Sequence, residues 1–265
     1  MNISFICVNY DSHEETKKYI KNVFELSDYS FTIVVDNSPT NESCSILESF
    51  LKEENFLSRA KILKRENRGY FQGLNDGLEV INKSDSLNSF VVVGNNDIIF
   101  ESNFIDQLSK LKIEEDILII APDVITRDGI HENPHVINKM SFLRKLKYEI
   151  YFSNYYIAKL ITLFYSAERK AKPFDPEAKS IYMGIGALYI LTPNFFKYFD
   201  KLREDVFLYG EEAVLADQIN SVGGKIWYEP SLKCYHNESS TTSKMDSKYK
   251  YNIIQKSYKI YKKYL

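Results

Sequence analysis

The chain has 265 residues, a formal net charge of −2, and 44% hydrophobic and 26% charged residues. This length fits one large or two small domains, the composition is that of a soluble globular protein, and a charge near zero gives no general case for a nucleic-acid partner. The three cysteines form no CxxC pair, which argues against a disulfide framework or a zinc site. The first ten residues are typical of a strand rather than a signal peptide, and no apolar run is long enough to span a bilayer, so we expect a cytoplasmic protein.

The first half of the chain alternates predicted strands and helices. Apolar runs predict strands at residues 3–8, 31–35, 61–64 and 90–94. Helical patterns separate them, beginning after Ser12, near Leu47 and at Phe71, and Ser12 has capping-box spacing with Glu15. Strands joined by connections of helix length predict an α/β fold, with a mostly parallel central sheet flanked by helices.

Polar residues follow the end of each predicted strand, namely Asn9, Asp36, Asn67 and residues 95–97. Residues 94–97 also suit an ordinary turn. Because ligands bind beyond the carboxyl ends of strands in open α/β sheets, the four polar ends together predict one shared binding site.

The residue types at this edge indicate the ligand. Asp36 is placed like an acid that contacts a ribose or a base, and residues 67–69 bring a cation and a glycine to a helix N-terminus, which suits a phosphate. Asp97 is placed to hold a divalent cation that bridges phosphates. The chain has no GxGxxG after its first strand and no P-loop motif, so a nucleoside diphosphate with a metal fits better than a dinucleotide.

The second half supplies candidate catalytic residues. Strands are predicted at 117–125, at 183–191 after a turn of small residues, and at 225–229, where Pro230 closes the last one; Thr192 and Pro193 are predicted to start a helix. Glu211 and Glu212 follow a glycine and open a helix, which suits a general base, although acids are common in first helical turns. His236 fits either a structural role or a metal ligand.

Eight segments, taken in order, resemble the family 2 glycosyltransferases of the GT-A fold, especially their bacterial rhamnosyltransferase-like branch. They are residues 7–10, 34–38, 67–70 with Gly73 and Asn75, 94–97, 184–187, 207–212, 223–230 and 235–236. The resemblance runs from Ile3 to about Ser240. It implies a GT-A domain over residues 1–240, with a helical insertion on the acceptor side at about 131–180. Residues 241–265 lie outside the match, and the spacing of their apolar residues predicts a C-terminal amphipathic helix.

The resemblance also implies residue roles. Donor binding falls to Asn9, Tyr10, Asp36, Asn67, Arg68, Gly69, Asn75, Asn95 and Asn96. Asp97 and His236 would bind Mg²⁺ or Mn²⁺, and Glu212 would be the catalytic base, with Glu211 as the second choice. The implied reaction is an inverting transfer of a sugar from a UDP- or dTDP-linked donor to a saccharide acceptor, expected to be lipid-linked, in bacterial surface polysaccharide synthesis.

Two other functions remain open. A nucleotidyltransferase would want a glycine-rich phosphate loop and a lysine near the first strand, and residues 7–12 contain neither. A non-catalytic scaffold that binds sugar nucleotides in an assembly complex is the main alternative. It is kept open because Asp97 is the single acid at the DxD position, and because Val214 and Gln218 replace an acid and a basic residue common in the family.

Two segments are candidates for contact with a membrane, which would place the protein peripherally at the inner face of the plasma membrane. Residues 142–165 mix aromatic and aliphatic residues with Lys and Arg, a pattern that fits either an anionic membrane surface or a helical cap over the active site. The tail from Ser247 to Leu265 carries one apolar stripe flanked by lysines. That stripe fits a membrane contact, a partner contact or packing on the core.

Overall fold

The computed structural model of the chain describes residues 3–81, 89–164, 172–237 and 247–265. Its strands are β1 (Ile3–Asn9), β2 (Ser30–Asp36), β3 (Ala60–Lys64), β4 (Phe90–Asn95), β5 (Ile98–Phe100), β6 (Ile117–Thr126), β7 (Lys179–Ile181), β8 (Leu188–Leu191) and β9 (Lys225–His236). Its α-helices are α1 (His13–Leu26), α2 (Glu42–Glu53), α3 (Tyr70–Leu78), α4 (Phe104–Lys110), α5 (Phe142–Ser153), α6 (Tyr155–Phe164), α7 (Glu211–Asn220) and α8 (Ser247–Tyr261). Short 3₁₀ turns lie at Phe195–Lys197 and Lys262–Tyr264.

The described strands form one mixed sheet in the order β3-β2-β1-β4-β8-β6-β9-β5, with β7 paired to β9. The first four strands are mutually parallel, as their alternation with helices predicted. β8 then enters antiparallel between β4 and β6, β6 and β9 are parallel, and β5 and β7 run antiparallel to β9. The α/β prediction is confirmed, and the second half of the sheet has a mixed character that the alternation of elements did not indicate.

Side chains alternate between the two faces of the central strands and fill two cores. Ile6, Val91 and Val93 point to the face covered by α3, α7 and α8, while Phe5 and Val92 point to the face covered by α1, α2 and α4. This alternation is the period of two expected of strands that are buried on both faces. The sheet is therefore a rigid layer, and its carboxyl edge presents the polar strand ends described above.

Two predicted boundaries are wrong. β9 does not stop at Pro230 but continues to His236, because a bulge between the pairs Pro122–Glu229 and Asp123–Lys233 leaves Pro230 outside the ladder, where its missing N–H has no effect. The segment after Thr192 forms only the 3₁₀ turn Phe195–Lys197, since its bulky aromatic residues are weak helix formers and their rings insert into the core. The longer β9 matters because it brings His236 to the site.

The predicted capping box at the start of α1 does not form. Ser12 is at the N-cap position, but its side chain makes no capping hydrogen bond. The Ser12 hydroxyl instead contacts the side chains of Asn9 and Asn96. A local capping role is thus replaced by a contact between distant segments.

The apolar stripe of the C-terminal segment packs on the core. Tyr251, Tyr258, Tyr261 and Leu265 are buried in the cluster that also contains Phe152 of α5. This observation favours the packing alternative for that stripe. Within the described ranges, no helix combines the length and apolar character needed to cross a membrane.

Candidate active site

An open cleft of about 400 Å³ lies beyond the carboxyl ends of β2 and β3. It is lined by Tyr10, Asn37, Ser38, Pro39, Lys64, Arg65, Glu66 and Asn67. Tyr10 and Asn67 were predicted as binding residues, whereas Lys64 and Arg65 were not singled out. A basic wall beside an aromatic side chain suits a nucleotide, because a lysine and an arginine bind phosphate and a ring stacks on a base.

Asn9 and Asp36 lie beneath this cleft rather than on its wall. Both are fully buried, and the Asn9 amide donates to Asp36 Oδ1 at 2.6 Å and to the Ser43 hydroxyl at 2.8 Å. Lys64 Nζ lies 3.1 Å from Asp36 Oδ2. The Asp36 carboxylate is therefore held by protein groups, and it positions Lys64 and Ser38 on the cleft wall.

The last residue of β4, Asn95, and the two residues after it point in different directions. Asn96 is buried and donates to the hydroxyls of Thr16 at 2.6 Å and Ser12 at 2.8 Å, which ties the turn to the start of α1. Asn95 Nδ2 lies 3.2 Å from His236 Nε2, and Asp97 Oδ1 lies 3.4 Å from the same ring nitrogen. The structure thus brings Asn95 and Asp97 to His236 and leaves Asn96 in a supporting network.

His236 is flanked by two buried carboxylates. Its Nδ1 lies 3.0 Å from Glu132 Oε2, on the side of the ring opposite Asp97. Burial opposes protonation of the imidazole, but Asp97 and Glu132 outweigh that effect and raise the pKa of His236 to about 10. Glu132 also fixes the orientation of the ring, as carboxylates commonly do for metal-binding histidines.

The spacing of Asp97 and His236 fits a shared divalent cation. Two adjacent ligands of an octahedral ion with bonds of about 2.1 Å lie roughly 3 Å apart, which is close to the observed 3.4 Å. No three His, Cys, Asp or Glu residues in the described part of the chain are grouped as a complete metal site. A cation at this position would therefore take further ligands from diphosphate oxygens and water, as Mg²⁺ commonly does.

Glu132 was not predicted, because it lies at the start of the segment assigned to the insertion. Residues 131–136 instead follow the sheet edge: His131 bridges to Ile125, and Val136 bridges to Met183. Asn133 is fully buried, and its side-chain oxygen accepts from the Ile185 amide at 2.9 Å. The one feature of the sequence that could have indicated Glu132 is the cluster of polar residues at 131–135, whose pattern fits neither a helix nor a strand.

Glu211 and Glu212 open α7 but occupy different environments. Glu211 is 4% exposed, its Oε1 has no hydrogen-bond partner in the described structure, and burial together with the neighbouring Glu212 raises its pKa to about 8. Glu212 is partly exposed, and its Oε1 accepts from the Gly186 amide at 3.2 Å. A raised pKa keeps Glu211 neutral near pH 7, which leaves Glu212 as the better placed base.

Gly186 and Ala187 join the two candidate centres. The Gly186 amide contacts Glu212, and the Ala187 carbonyl accepts from the Asn95 amide at 2.9 Å. A Cβ at Gly186 would lie 2.7 Å from Glu212 Oε1, so a side chain there would displace the carboxylate. Tyr70 lies between the centres: its hydroxyl donates to the Gly186 carbonyl, and burial, with the charges of Glu211, Asp97 and Glu212, raises its pKa well above the usual value.

His135 adds a titratable group on the same side. Burial lowers its pKa, with a contribution from Lys172 and Arg144, while Glu212 and Glu132 act in the opposite direction. The charges of both carboxylates therefore act on His135. It was not predicted, for the same reason as Glu132.

The remaining predicted donor residues lie on the α3 side. Arg68 points to Asp76, with 2.6 Å between Nη2 and Oδ1. Asn75 is buried: its side-chain amide donates to the Leu202 carbonyl, and its side-chain oxygen accepts from the Leu202 amide. Gly69 has φ +128°, and a Cβ there would lie 2.7 Å from the Phe207 carbonyl. The structure does not bring Arg68 or Asn75 to the cleft; Gly69 and Asn75 join α3 to the loop before α7.

Comparisons with known proteins bear on the fold. No family model matches the sequence, and no curated protein matches it. Among solved structures, GalNAc-T7 with UDP, GalNAc and Mn²⁺ gives a TM-score of 0.60 at 13% identity, over 89% of this chain and 44% of that one. The mannosyltransferase PcManGT from Pyrobaculum calidifontis, in complex with GDP-Man and Mn²⁺, gives 0.57 at 13% identity, over 91% and 58%.

A third similar structure is TarS 1-349 from S. aureus, with a TM-score of 0.58 at 12% identity, over 96% of this chain and 69% of that one. The chain spans about half the length of GalNAc-T7 and PcManGT. These proteins are glycosyltransferases of the GT-A fold. The chain therefore has the GT-A fold, as the order of its motifs predicted.

Proposed function

We propose that the chain is a metal-dependent glycosyltransferase that moves a sugar from a nucleoside-diphosphate donor to a saccharide acceptor with inversion. The observation that carries this proposal is the segment of Gly186 and Ala187: the Gly186 amide donates to Glu212, and the Ala187 carbonyl accepts from the backbone of Asn95, whose side chain and that of Asp97 both approach His236. Activation of a nucleophile and stabilisation of a leaving group need such groups on opposite sides of the reacting carbon.

Each centre has a role in the displacement. The Glu212 carboxylate takes the proton from the acceptor hydroxyl, whose oxygen then forms a bond to the anomeric carbon. The bond from that carbon to the diphosphate oxygen breaks, and the diphosphate leaves with the electron pair. Asp97 and His236 would hold a divalent cation, which would supply positive charge to stabilise the departing diphosphate.

The donor would bind in the cleft beside β2 and β3. Lys64 and Arg65 supply cations, and Tyr10 supplies an aromatic face. GalNAc-T7 was solved with UDP and Mn²⁺, and PcManGT with GDP-Man and Mn²⁺, which supports a nucleotide-sugar donor and Mn²⁺ or Mg²⁺ here. We propose UDP or dTDP as the nucleotide, membership of family 2 and its rhamnosyltransferase-like branch, and a cytoplasmic role in surface polysaccharide synthesis.

The first test is thermal unfolding with UDP, dTDP and GDP, each with and without Mn²⁺. A nucleotide at ~100 times its dissociation constant adds about 2.7 kcal/mol to the free energy of unfolding, which raises the melting temperature visibly. We expect a metal-dependent rise that Asp97→Asn removes. Asp128→Asn makes the same change on an exposed turn and should leave the rise intact.

A second assay separates an enzyme from a scaffold. Release of free nucleoside diphosphate from a donor sugar nucleotide, with water or an oligosaccharide as acceptor, should require both Mn²⁺ and Asp97. Metal-dependent binding without any turnover of UDP- or dTDP-sugars would favour the scaffold. Absence of any nucleotide-induced stabilisation would contradict the proposed donor site.

A further inference from the structure

Helices α5 and α6 form a hairpin whose outer face is apolar and exposed. Only Phe152 in α5 and Ala158 in α6 are buried. Side chains that are 41–80% exposed cover the rest of the apolar surface: Phe142, Leu143, Leu146, Ile150, Tyr156, Ile157, Leu160, Leu163 and Phe164. An exposed apolar area of this extent marks a binding surface in a soluble domain.

The exposed side chains follow the helical period. In α5 they recur from Phe142 to Leu146 and Ile150, and in α6 from Tyr156 to Leu160 and Phe164, in steps of four residues. Steps of four place side chains along one face of a helix. Each helix therefore presents a continuous apolar stripe on its exposed side.

The opposite face of the hairpin is anchored to α8. The Phe152 and Tyr258 rings stack with centroids 4.4 Å apart, and the Tyr155 and Tyr251 rings meet edge to face at 5.4 Å. The Tyr251 hydroxyl donates to the Tyr151 carbonyl at 3.1 Å. The hairpin is thus held firmly by one face, which fixes the direction in which the apolar face points.

The net charge of the hairpin distinguishes between the possible binding partners of this apolar surface. The hairpin carries four basic residues, Arg144, Lys145, Lys147 and Lys159, and a single acid, Glu149, in a chain whose net charge is −2. Lys262 of the turn after α8 lies 3.0 Å from Glu149 and neutralises it. A second copy of the chain, packed face to face, would oppose this positive surface with its own, which is unfavourable in a symmetric contact.

We propose that the α5–α6 hairpin docks on an anionic lipid surface. Its leucine, isoleucine and phenylalanine side chains would enter the boundary between headgroups and acyl chains, and its lysines and arginine would contact lipid phosphates. Long basic side chains suit this arrangement because their stems cover apolar surface while their charged ends reach the headgroups.

The hairpin follows directly after the segment that borders the candidate base. Asn133 of that segment accepts from the Ile185 amide at 2.9 Å, and the neighbouring Gly186 amide donates to Glu212 at 3.2 Å. Docking would therefore bring the acceptor side of the site to the lipid surface, where a lipid-linked saccharide is presented. The proposed lipid binding depends on the hairpin alone, whereas its role in bringing the active site to a lipid-linked acceptor rests on the proposed function.

Flotation of the whole chain with vesicles tests the proposal. We expect binding to vesicles of phosphatidylcholine with phosphatidylglycerol, and weak binding to phosphatidylcholine alone. Leu143→Glu with Leu163→Glu changes two strongly exposed side chains and should abolish binding. The matched control is Tyr29→Glu with Leu57→Glu, two exposed apolar residues outside the hairpin, which should bind like the unchanged chain.

A charge pair tests the basic component. Lys147→Gln with Lys159→Gln should weaken binding roughly 25-fold, because each basic residue at the lipid surface strengthens binding about fivefold. Lys110→Gln with Lys112→Gln removes two exposed lysines elsewhere and should have little effect.

Three results would overturn lipid docking. The first is no flotation with anionic vesicles, and the second is equal binding by the hairpin variants and the unchanged chain. The third is a dimer in sedimentation that Leu143→Glu with Leu163→Glu dissociates, in a chain that does not bind vesicles, because the hairpin would then bind a second copy. Nucleotide-induced stabilisation should persist in all hairpin variants, so failure of lipid binding and failure of the donor site are distinguishable.

Discussion

Glu211 and Glu212 are adjacent in sequence, yet they face different surroundings. Glu212 is partly exposed beside the Gly186 amide, and Glu211 is almost fully buried. We expect Glu212→Gln to reduce transfer roughly 10²–10⁴-fold, because a general base is lost, and Glu211→Gln to reduce it much less. Initial rates with a donor sugar nucleotide and Mn²⁺ measure both variants, and nucleotide-induced stabilisation serves as the control for intact donor binding. A larger loss for Glu211→Gln would reverse the assignment.

Burial of Glu211 also predicts how stability depends on pH. Its pKa is about 8 in the folded protein against an ordinary 4.5, so between these values the folded state holds a proton that the unfolded chain releases. The free energy of unfolding therefore falls as pH rises through this window. Glu211→Gln should gain stability over the unchanged chain on going from about pH 5 to about pH 8, as measured by urea unfolding. Glu115→Gln, on an exposed residue, should show no such trend.

The pair of His236 and Asp97 predicts proton release on metal binding. With a pKa of about 10, the imidazole is charged at neutral pH, and a metal ligand must be neutral. Binding of Mn²⁺ should therefore release about one proton. At pH values below that pKa, the affinity for Mn²⁺ should rise roughly tenfold for each unit by which the pH increases. Calorimetric titration in buffers with different ionisation enthalpies counts the protons, and a value of zero would place the metal away from His236.

At the scale of elements, α8 supports the turn that presents the candidate base. Gly210 has φ +93°, and a Cβ there would lie 2.1 Å from the Tyr261 ring. The Ser257 hydroxyl donates to the Leu208 carbonyl at 2.7 Å. The helix thus holds the loop before α7 through both backbone and ring contacts.

Removal of the Tyr261 ring should therefore affect both stability and rate. We expect Tyr261→Ala to lower the free energy of unfolding by roughly 3 kcal/mol, since a buried ring is replaced by a cavity, and to lower the turnover rate as Glu212 loses its fixed position. Tyr249→Ala truncates an exposed ring on the same helix and should cost less than ~0.5 kcal/mol. Urea unfolding and initial rates measure both effects; equal behaviour of the two variants would exclude a supporting role for Tyr261.

Elements with strong local patterns could be predicted from the sequence. Apolar runs located the strands, and the end of β4 located Asn95 and Asp97 at one edge of the sheet, where the structure also places His236. Features that depend on distant partners could not be predicted. Pro230 continues a strand only because a bulge forms opposite Pro122, and Glu132 reaches His236 only because its loop follows the sheet edge.

At the scale of the whole molecule, the fold was recognisable although no family model matches the sequence. The sheet determines the order in which polar strand ends occur along the chain. The apolar residues within its strands can vary widely without changing that order. Which polar residues line the cleft could not be predicted from the sequence, because polar side chains at one edge of the sheet point in different directions. Asn9 and Asp36 face inward into a shared network, whereas Tyr10 and Asn67 face the cleft.

The contact between α8 and the turn at Gly210 has a consequence for the order in which the parts of the site form during synthesis. Residues 3–95 contain the four parallel strands β1 to β4 and the residues that line the cleft, and they leave the ribosome well before residues 247–265. A nascent chain could therefore bind nucleotide before its base is fixed in place. The truncated chain 1–246 should retain nucleotide-induced stabilisation and lose most transfer, and a truncated chain with full turnover would contradict this delay. Such an order would keep an unfinished chain from consuming donor.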